Sequence, residues 1–308
     1  MIAWVFPGQG AQVVGMGKDM ARAFPAARAV FARADEALGF ELTRVCWDGP
    51  DDTLRQTEIT QPALLAASVA CMTVLQEAGH HPDLAAGLSL GEYTALVCAG
   101  ALAFDDAVRV VRARGRFMQE AAAGRRTAMA AILGLDAEAV RRVCAEASAA
   151  GVVEPSNFNS PGQVVIAGDE AAVQDAIVRA KAAGARRAVL LPVSAPFHTN
   201  LMAPAAERLA GALAAVPIAA PGVPVVSNVT AQPVAGPDDI RRLLVTQVAS
   251  PVRWDDSVRT MVEAGAEAFI EIGPGTSLSG MVRKTVEGVR TLHVEDPKSL
   301  DETLRALQ

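Results

Sequence analysis

Two successive strand–helix–strand patterns between Thr127 and Val193 constrain this 308-residue chain more tightly than any other feature. Short apolar runs at 127–133, 152–156, 163–167 and 187–193 read as strands, and alanine-rich stretches at 137–149 and 171–183 as the helices between them. Asp136 and Asp169 stand where helix N-caps belong, and Gly184 where a C-terminal cap belongs. The order βαββαβ is the ferredoxin-like arrangement. It predicts a small domain at 125–195 inserted into a larger body made from 1–124 and 196–308, which suits a length prior of roughly 150 residues per domain.

The flanking segments alternate differently. Strand-like runs at 2–6, 84–88, 223–227, 268–272 and around Leu292 are separated by helical stretches, which predicts an α/β body with a largely parallel sheet. Helices are expected at 62–78, with Pro62 near the first helical position, at 92–98 with Gly100 past the end, at 199–215 and at 276–286. Hydrophobic residues make up 51% of the chain and charged ones 20%, enough apolar side chain for a large core and too much for a disordered or coiled-coil protein. Aromatics are only 4%, so Ala, Val and Leu must fill that core.

Lys and Arg number 28 against 34 Asp and Glu, a net charge of −6 without any basic run, which argues against nucleic acid as a partner. An anionic ligand must therefore be met by a few placed cations. The first residues read as a strand rather than the basic start of a signal peptide. The uncharged apolar stretches 63–75 and 93–104 fall short of the roughly 20 residues of a membrane helix. Cys46, Cys71, Cys98 and Cys144 are widely spaced, with no CxxC and no Cys/His cluster, so reduced thiols and no metal site are expected. These features predict a soluble cytoplasmic protein that does not engage a membrane.

The pentapeptide Gly87-Leu88-Ser89-Leu90-Gly91 is a GxSxG sequence between an apolar strand and a helix opening at Glu92. Ser89 then falls on a sharp turn that lifts its hydroxyl into a cleft, and the Leu90 N–H with the positive helix end could stabilise an oxyanion. The same letters also suit a glycine-rich turn with an incidental serine. A serine nucleophile needs a base, and the chain has four histidines. His80 and His81 follow Gly79 and precede Pro82 in a loop, and His293 sits on a short strand. His198 lies at the junction between the insert and the next helix, where sites form, although a capping or surface histidine reads the same way. Pro7-Gly8-Gln9-Gly10 after the first strand permits close backbone approach to a ligand and a second oxyanion N–H, yet lacks the Lys-Ser/Thr of a phosphate loop. The segment from Asn157 to Gln163 reads as a polar turn joining two strands.

In order and spacing, Pro7–Gly10, Gly87–Glu92, Arg112–Gly115, Asn157–Gly168, His198 and Glu271-Ile272-Gly273-Pro274-Gly275 form one set. The chain resembles the malonyl-CoA:acyl carrier protein transacylases, the acyltransferases of bacterial type II fatty acid synthesis, over essentially its whole length. The resemblance implies an α/β-hydrolase-like large domain with a ferredoxin-like insert. It implies Ser89 as nucleophile, His198 as base and acid, a backbone carbonyl near Gln247 orienting the imidazole, and oxyanion N–H groups from Gln9 and Leu90. Arg114 would grip the malonyl carboxylate, where a planar bidentate donor suits a planar acceptor. Asn159 and Gln163 would contact the pantetheine arm, and Phe197 would limit substrate size beside the α-carbon. Malonyl-CoA and a holo acyl carrier protein are the implied partners of a monomer that needs no cofactor. Arg186 with Arg187, and Arg283 with Lys284, are candidate docking cations for an acidic carrier. One departure is Leu88, where the family usually has histidine; it is expected to face away from the serine. Alternatives are a polyketide acyltransferase acting in trans, a GxSxG hydrolase or thioesterase, and a non-catalytic coenzyme A or carrier module. A hydrolase triad would place its histidine late in the chain, after the acid.

Overall fold

The computed structural model describes residues 1–193 and 195–308. The chain runs β1 (Ile2–Phe6), α1 (Lys18–Ala23), α2 (Pro25–Leu38), α3 (Leu42–Asp48), α4 (Asp51–Leu54), α5 (Thr57–Glu77), β2 (Leu84–Gly87), α6 (Gly91–Cys98) and α7 (Phe104–Ala122). Next come β3 (Thr127–Leu133), α8 (Ala137–Ala147), β4 (Val153–Ser160), β5 (Gln163–Asp169), α9 (Glu170–Ala182) and β6 (Arg187–Leu190). The last part is α10 (Ala203–Ala214), β7 (Val225–Val226), α11 (Pro237–Val248), β8 (Val252–Arg253), α12 (Trp254–Glu263), β9 (Ala268–Ile272), α13 (Ser277–Thr285), β10 (Arg290–Val294) and α14 (Pro297–Leu307).

Strand β1 explains its own uninterrupted apolar run. Trp4 and Phe6 point into one core with α5 and α7, while Ala3 and Val5 point into another with Trp254, Val258, Leu278 and Val282. A strand buried on both faces has no polar side. It sits centrally in a five-stranded sheet, β10-β9-β1-β2-β7, in which every pairing is parallel. The turns after β1, β2 and β9 therefore emerge at one edge, the carboxyl ends where open α/β sheets bind ligands.

The second sheet has the order β6-β3-β5-β4-β8. Its first four strands are antiparallel in the ferredoxin-like order, as expected. Ala130, Ile132, Val164 and Ile166 pack under α8 and α9 in a core of their own, while Met129, Val165 and Ala167 face the main core. The fifth strand, β8, comes from the C-terminal part and pairs parallel with β4. The C-terminal part thus supplies an edge strand to the second sheet.

Several boundaries differ from the sequence expectation. Helix α5 begins at Thr57, so Pro62 lies inside it rather than near its first position. This helix is long and apolar enough to cross a bilayer, but nearly all of it is buried in the protein. The strand expected at 223–227 keeps two residues, because Pro224 has no N–H for the ladder. The last insert strand stops at Leu190, before Pro192. Strand β4 continues through Asn157 and Asn159 to Ser160, with two bulges, so the polar turn shrinks to Pro161-Gly162. Asp136 caps α8 as expected, accepting from the Ala139 N–H at 2.7 Å. Asp169 instead holds Arg125 and the Val152 N–H. The four cysteines are unpaired; burial pushes the thiols of Cys46 and Cys71 up to about 12. Among the described residues no three His, Cys, Asp or Glu side chains gather as a metal site would require.

Candidate active site

Ser89 sits between β2 and α6 with φ at +54°, a left-handed conformation in a non-glycine residue. The tightness of the turn depends on its flanking glycines. A Cβ on Gly87 would stand 2.0 Å from the Gly91 carbonyl, and one on Gly91 would stand 2.1 Å from Phe6 O. Asn228 braces the turn from both sides, accepting the Ser89 N–H on Oδ1 at 2.6 Å and donating Nδ2 to Gly87 O at 2.7 Å. These bonds hold a strained conformation that exposes the hydroxyl.

His198 also has positive φ, +61°, in the loop after the insert. Its Nε2 lies 2.7 Å from Ser89 Oγ and its Nδ1 lies 2.8 Å from the main-chain oxygen of Gln247. A carbonyl only accepts, so Nδ1 carries the proton and Nε2 is left to accept the serine hydroxyl. Burial lowers the His198 pKa to about 4, and the positive charge of Arg114 adds to that; main-chain bonds to Gln247 and Ser250 pull the other way. The imidazole is therefore neutral at physiological pH.

Arg114 projects from α7 and is 1% exposed. It donates to Gln61 Oε1 at 2.8 Å, Gln247 Oε1 at 2.9 Å and Ser89 Oγ at 3.1 Å. Its Nε has no partner among the described residues. Burial pushes its pKa down, with Tyr93 and Glu92 opposing. A buried guanidinium held by neutral acceptors is a strong site for a carboxylate.

These groups open into a cleft of about 760 Å³ lined by Pro7 to Gln12, Met118, Met129, Asn157, Asn159, Phe197 and Met281 among others. Neither the Gln9 nor the Leu90 main-chain N–H has a bonding partner among the described residues. Serine, base, cation and donors thus surround one small volume, which suits attack on a carbonyl carbon that carries a nearby anionic group.

A profile of the acyl transferase domain matches residues 3–299. The chain belongs to the acyl transferase family. The malonyl CoA-acyl carrier protein transacylase of Escherichia coli strain K12 is 49% identical over 299 residues, covering 97% of each chain. That of Bacillus subtilis strain 168 is 46% identical over 308 residues, covering 100% of this chain and 97% of the other. A malonyl-transacylase solved in complex with a holo type II polyketide acyl-carrier protein superposes with a TM-score of 0.97 at 47% identity, covering 99% of each chain.

In this acyltransferase Phe197 and Asn159 line the cleft, and Asn159 Oδ1 is buried without a partner among the described residues. Gln163 does not line it; its Oε1 accepts from Lys284 at 3.3 Å. Gln247 stands behind Arg114 and His198 rather than at the cleft wall. Leu88 belongs to the turn, since β2 ends at Gly87; it borders the cleft and packs against the core around Trp254 and Leu278. Arg186, Arg187, Arg283 and Lys284 are exposed. Sequence reasoning missed Gln61, Glu92 and Asn228. Only Glu92 left a signal, a carboxylate directly after GxSxG in an otherwise apolar helix.

Proposed function

We propose that this acyltransferase moves the malonyl group of malonyl-CoA to the phosphopantetheine thiol of a holo acyl carrier protein, through an ester on Ser89. The carrying observation is that one oxygen, Ser89 Oγ, stands 2.7 Å from His198 Nε2 and 3.1 Å from the buried Arg114 fork. The malonyl carboxylate takes Arg114 by two parallel bonds and leaves its thioester carbonyl beside Ser89. His198 Nε2 accepts the serine proton as Oγ attacks, and the oxyanion is received by the Gln9 and Leu90 N–H groups. The C–S bond breaks, the proton passes to the departing sulfur, and coenzyme A leaves. The carrier thiol then enters the same cleft, gives its proton to His198 and takes the acyl group, freeing Ser89.

The Gln247 carbonyl does the orienting that an aspartate does in a serine triad, and it adds no negative charge beside the imidazolium. Asn159, in the cleft lining, would meet the pantetheine amides. Malonyl-CoA is a substrate, every step uses side chains and N–H groups of one chain, and the reading is of a cytoplasmic monomer without a cofactor. The insert, 125–195, and the body, 1–124 with 196–308, act as the two walls. The pathway is that of fatty acid synthesis; the likeness to a transacylase complexed with a polyketide carrier favours a polyketide carrier as the second reading.

Intact mass spectrometry tests the proposal. Malonyl-CoA should add one malonyl group to the native chain, and holo carrier should remove it. Ser89→Ala should show no adduct while keeping its melting temperature. A malonyl group mapped to any other residue overturns the assignment.

A further inference from the structure

Glu92 is 1% exposed in the first turn of α6; it does not line the cleft and makes no hydrogen bond to His198. Its Oε2 accepts two donors, the Asn228 N–H at 2.9 Å and the Gln247 side-chain Nε2 at 2.8 Å. Each donor leads to a different half of the site. Asn228 braces the nucleophile turn through Ser89 N and Gly87 O. The Gln247 side chain bonds Ser89 O with Nε2 and Arg114 with Oε1, and its main-chain oxygen holds His198.

An amide side chain can flip, exchanging donor for acceptor. In Gln247 the flip would turn an NH₂ toward the Arg114 guanidinium, two donors facing each other. The Glu92 oxygen prevents it, since it accepts and never donates from that position when ionised. The same oxygen ties Asn228 and Gln247 together across elements far apart in sequence. We propose that Glu92 is the positioning residue of this site: through Gln247 it aims Arg114 at the malonyl carboxylate, and through Asn228 it holds the Ser89 turn.

The required property is an acceptor oxygen at the reach of a glutamate side chain. Among the described residues Arg114 bonds no carboxylate, and Glu92 is the carboxylic acid whose charge bears on it. Burial pushes the Glu92 carboxyl up to about 7 against the pull of its donors, so its charge varies near neutrality while its reach does not. This role rests on the malonyl-transfer reading above.

Three variants separate reach from charge. Glu92→Gln keeps the acceptor without the charge, Glu92→Asp keeps the charge one methylene short, and Glu92→Leu removes both while filling the space. The readout is kcat/KM for malonyl-CoA divided by that for acetyl-CoA, which a purely structural role leaves unchanged. Glu92→Gln should stay within about threefold of the native ratio, whereas Asp and Leu should lower it roughly ten- to hundredfold, the cost of unpaired buried donors. Should Glu92→Leu fail to fold, Glu92→Asp carries the test. An unchanged ratio in Glu92→Asp overturns the proposal, as does a loss in Glu92→Gln equal to that in Glu92→Asp. If the native enzyme forms no malonyl-Ser89 ester, it is the underlying reading that fails.

Discussion

His198 and Glu92 are both enclosed by protein, and burial moves their protonation in opposite senses, because the charged form is the cation in one and the anion in the other. His198 falls from 6.5 to about 4, and Glu92 rises from 4.5 to about 7. A depressed histidine stabilises the fold above its unfolded value and loses that contribution as pH drops from 6.5 toward 4. A raised carboxyl stabilises the fold below 4.5 and loses its contribution as pH climbs toward 7. Between pH 4.5 and 6.5 the two slopes oppose each other. His198→Gln should therefore gain melting temperature relative to the native protein on acidification through this window, and Glu92→Gln should lose it. Parallel melting curves for all three proteins would show that folding shifts neither group's pKa. Phe197 acts at the same scale: it is 7% exposed and lines the cleft beside His198. Phe197→Ser should raise kcat/KM for methylmalonyl-CoA at least about tenfold, the discrimination expected of one methyl group in a pocket. Ser89 and His198 were legible as candidates because a strand–turn–helix and a domain junction are local patterns. Arg114 became a candidate only through family likeness. An arginine between Asp105 and Glu120 looks like a solvated face, and only the crossing with α5 buries it.

That crossing is an element-scale feature with its own consequence. Gly115 lets α7 lie directly on the start of α5, where a Cβ would stand 2.6 Å from Thr57 O and 2.8 Å from Glu58 Cα. Alanine gains about 1 kcal/mol of helix propensity over glycine, while overpacking against backbone costs about 1–3 kcal/mol. Overpacking should win, because the facing atoms are helix backbone and cannot swing aside. Gly115→Ala should lower the melting temperature and also shift Arg114, its neighbour, away from Gln61; malonyl-CoA kcat/KM should drop more than acetyl-CoA kcat/KM. The elements of the insert were legible because their caps and glycines are local. Helix α5 was harder: it is buried on nearly all sides, so it shows no polar face to mark its start, and Pro62 gave a false one. Strand β8, two residues long, carries no periodic signal at all.

For the whole molecule, a net charge of −6 makes encounter with an acidic carrier protein repulsive at long range. Charges are screened beyond about 8 Å at physiological salt, so cations at the cleft mouth outweigh the global sum once the partners are close. Two elements that wall the cleft also carry such cations. Leu191 follows β6 and Met281 belongs to α13, and both line the opening. Arg187 on β6 pairs across from Leu133, Leu133 pairs across from Gln163, and Gln163 binds Lys284 of α13. Arg186 joins them through its N–H to Leu133 O. Arg187, Arg186 and Lys284 therefore share one end of the small sheet, although they are some hundred residues apart in sequence. Arg283 departs from this group, since its guanidinium bonds Thr291 Oγ1 on β10 at 2.6 Å. Charge reversal should separate the two directions. Arg187→Glu with Lys284→Glu should raise KM for holo carrier about tenfold at low salt and flatten its salt dependence, as loss of steering cations requires. KM for malonyl-CoA should change less, and Arg283→Glu alone should have a smaller effect on the carrier. An unchanged carrier KM in the Arg187/Lys284 pair would place docking on another face of the molecule.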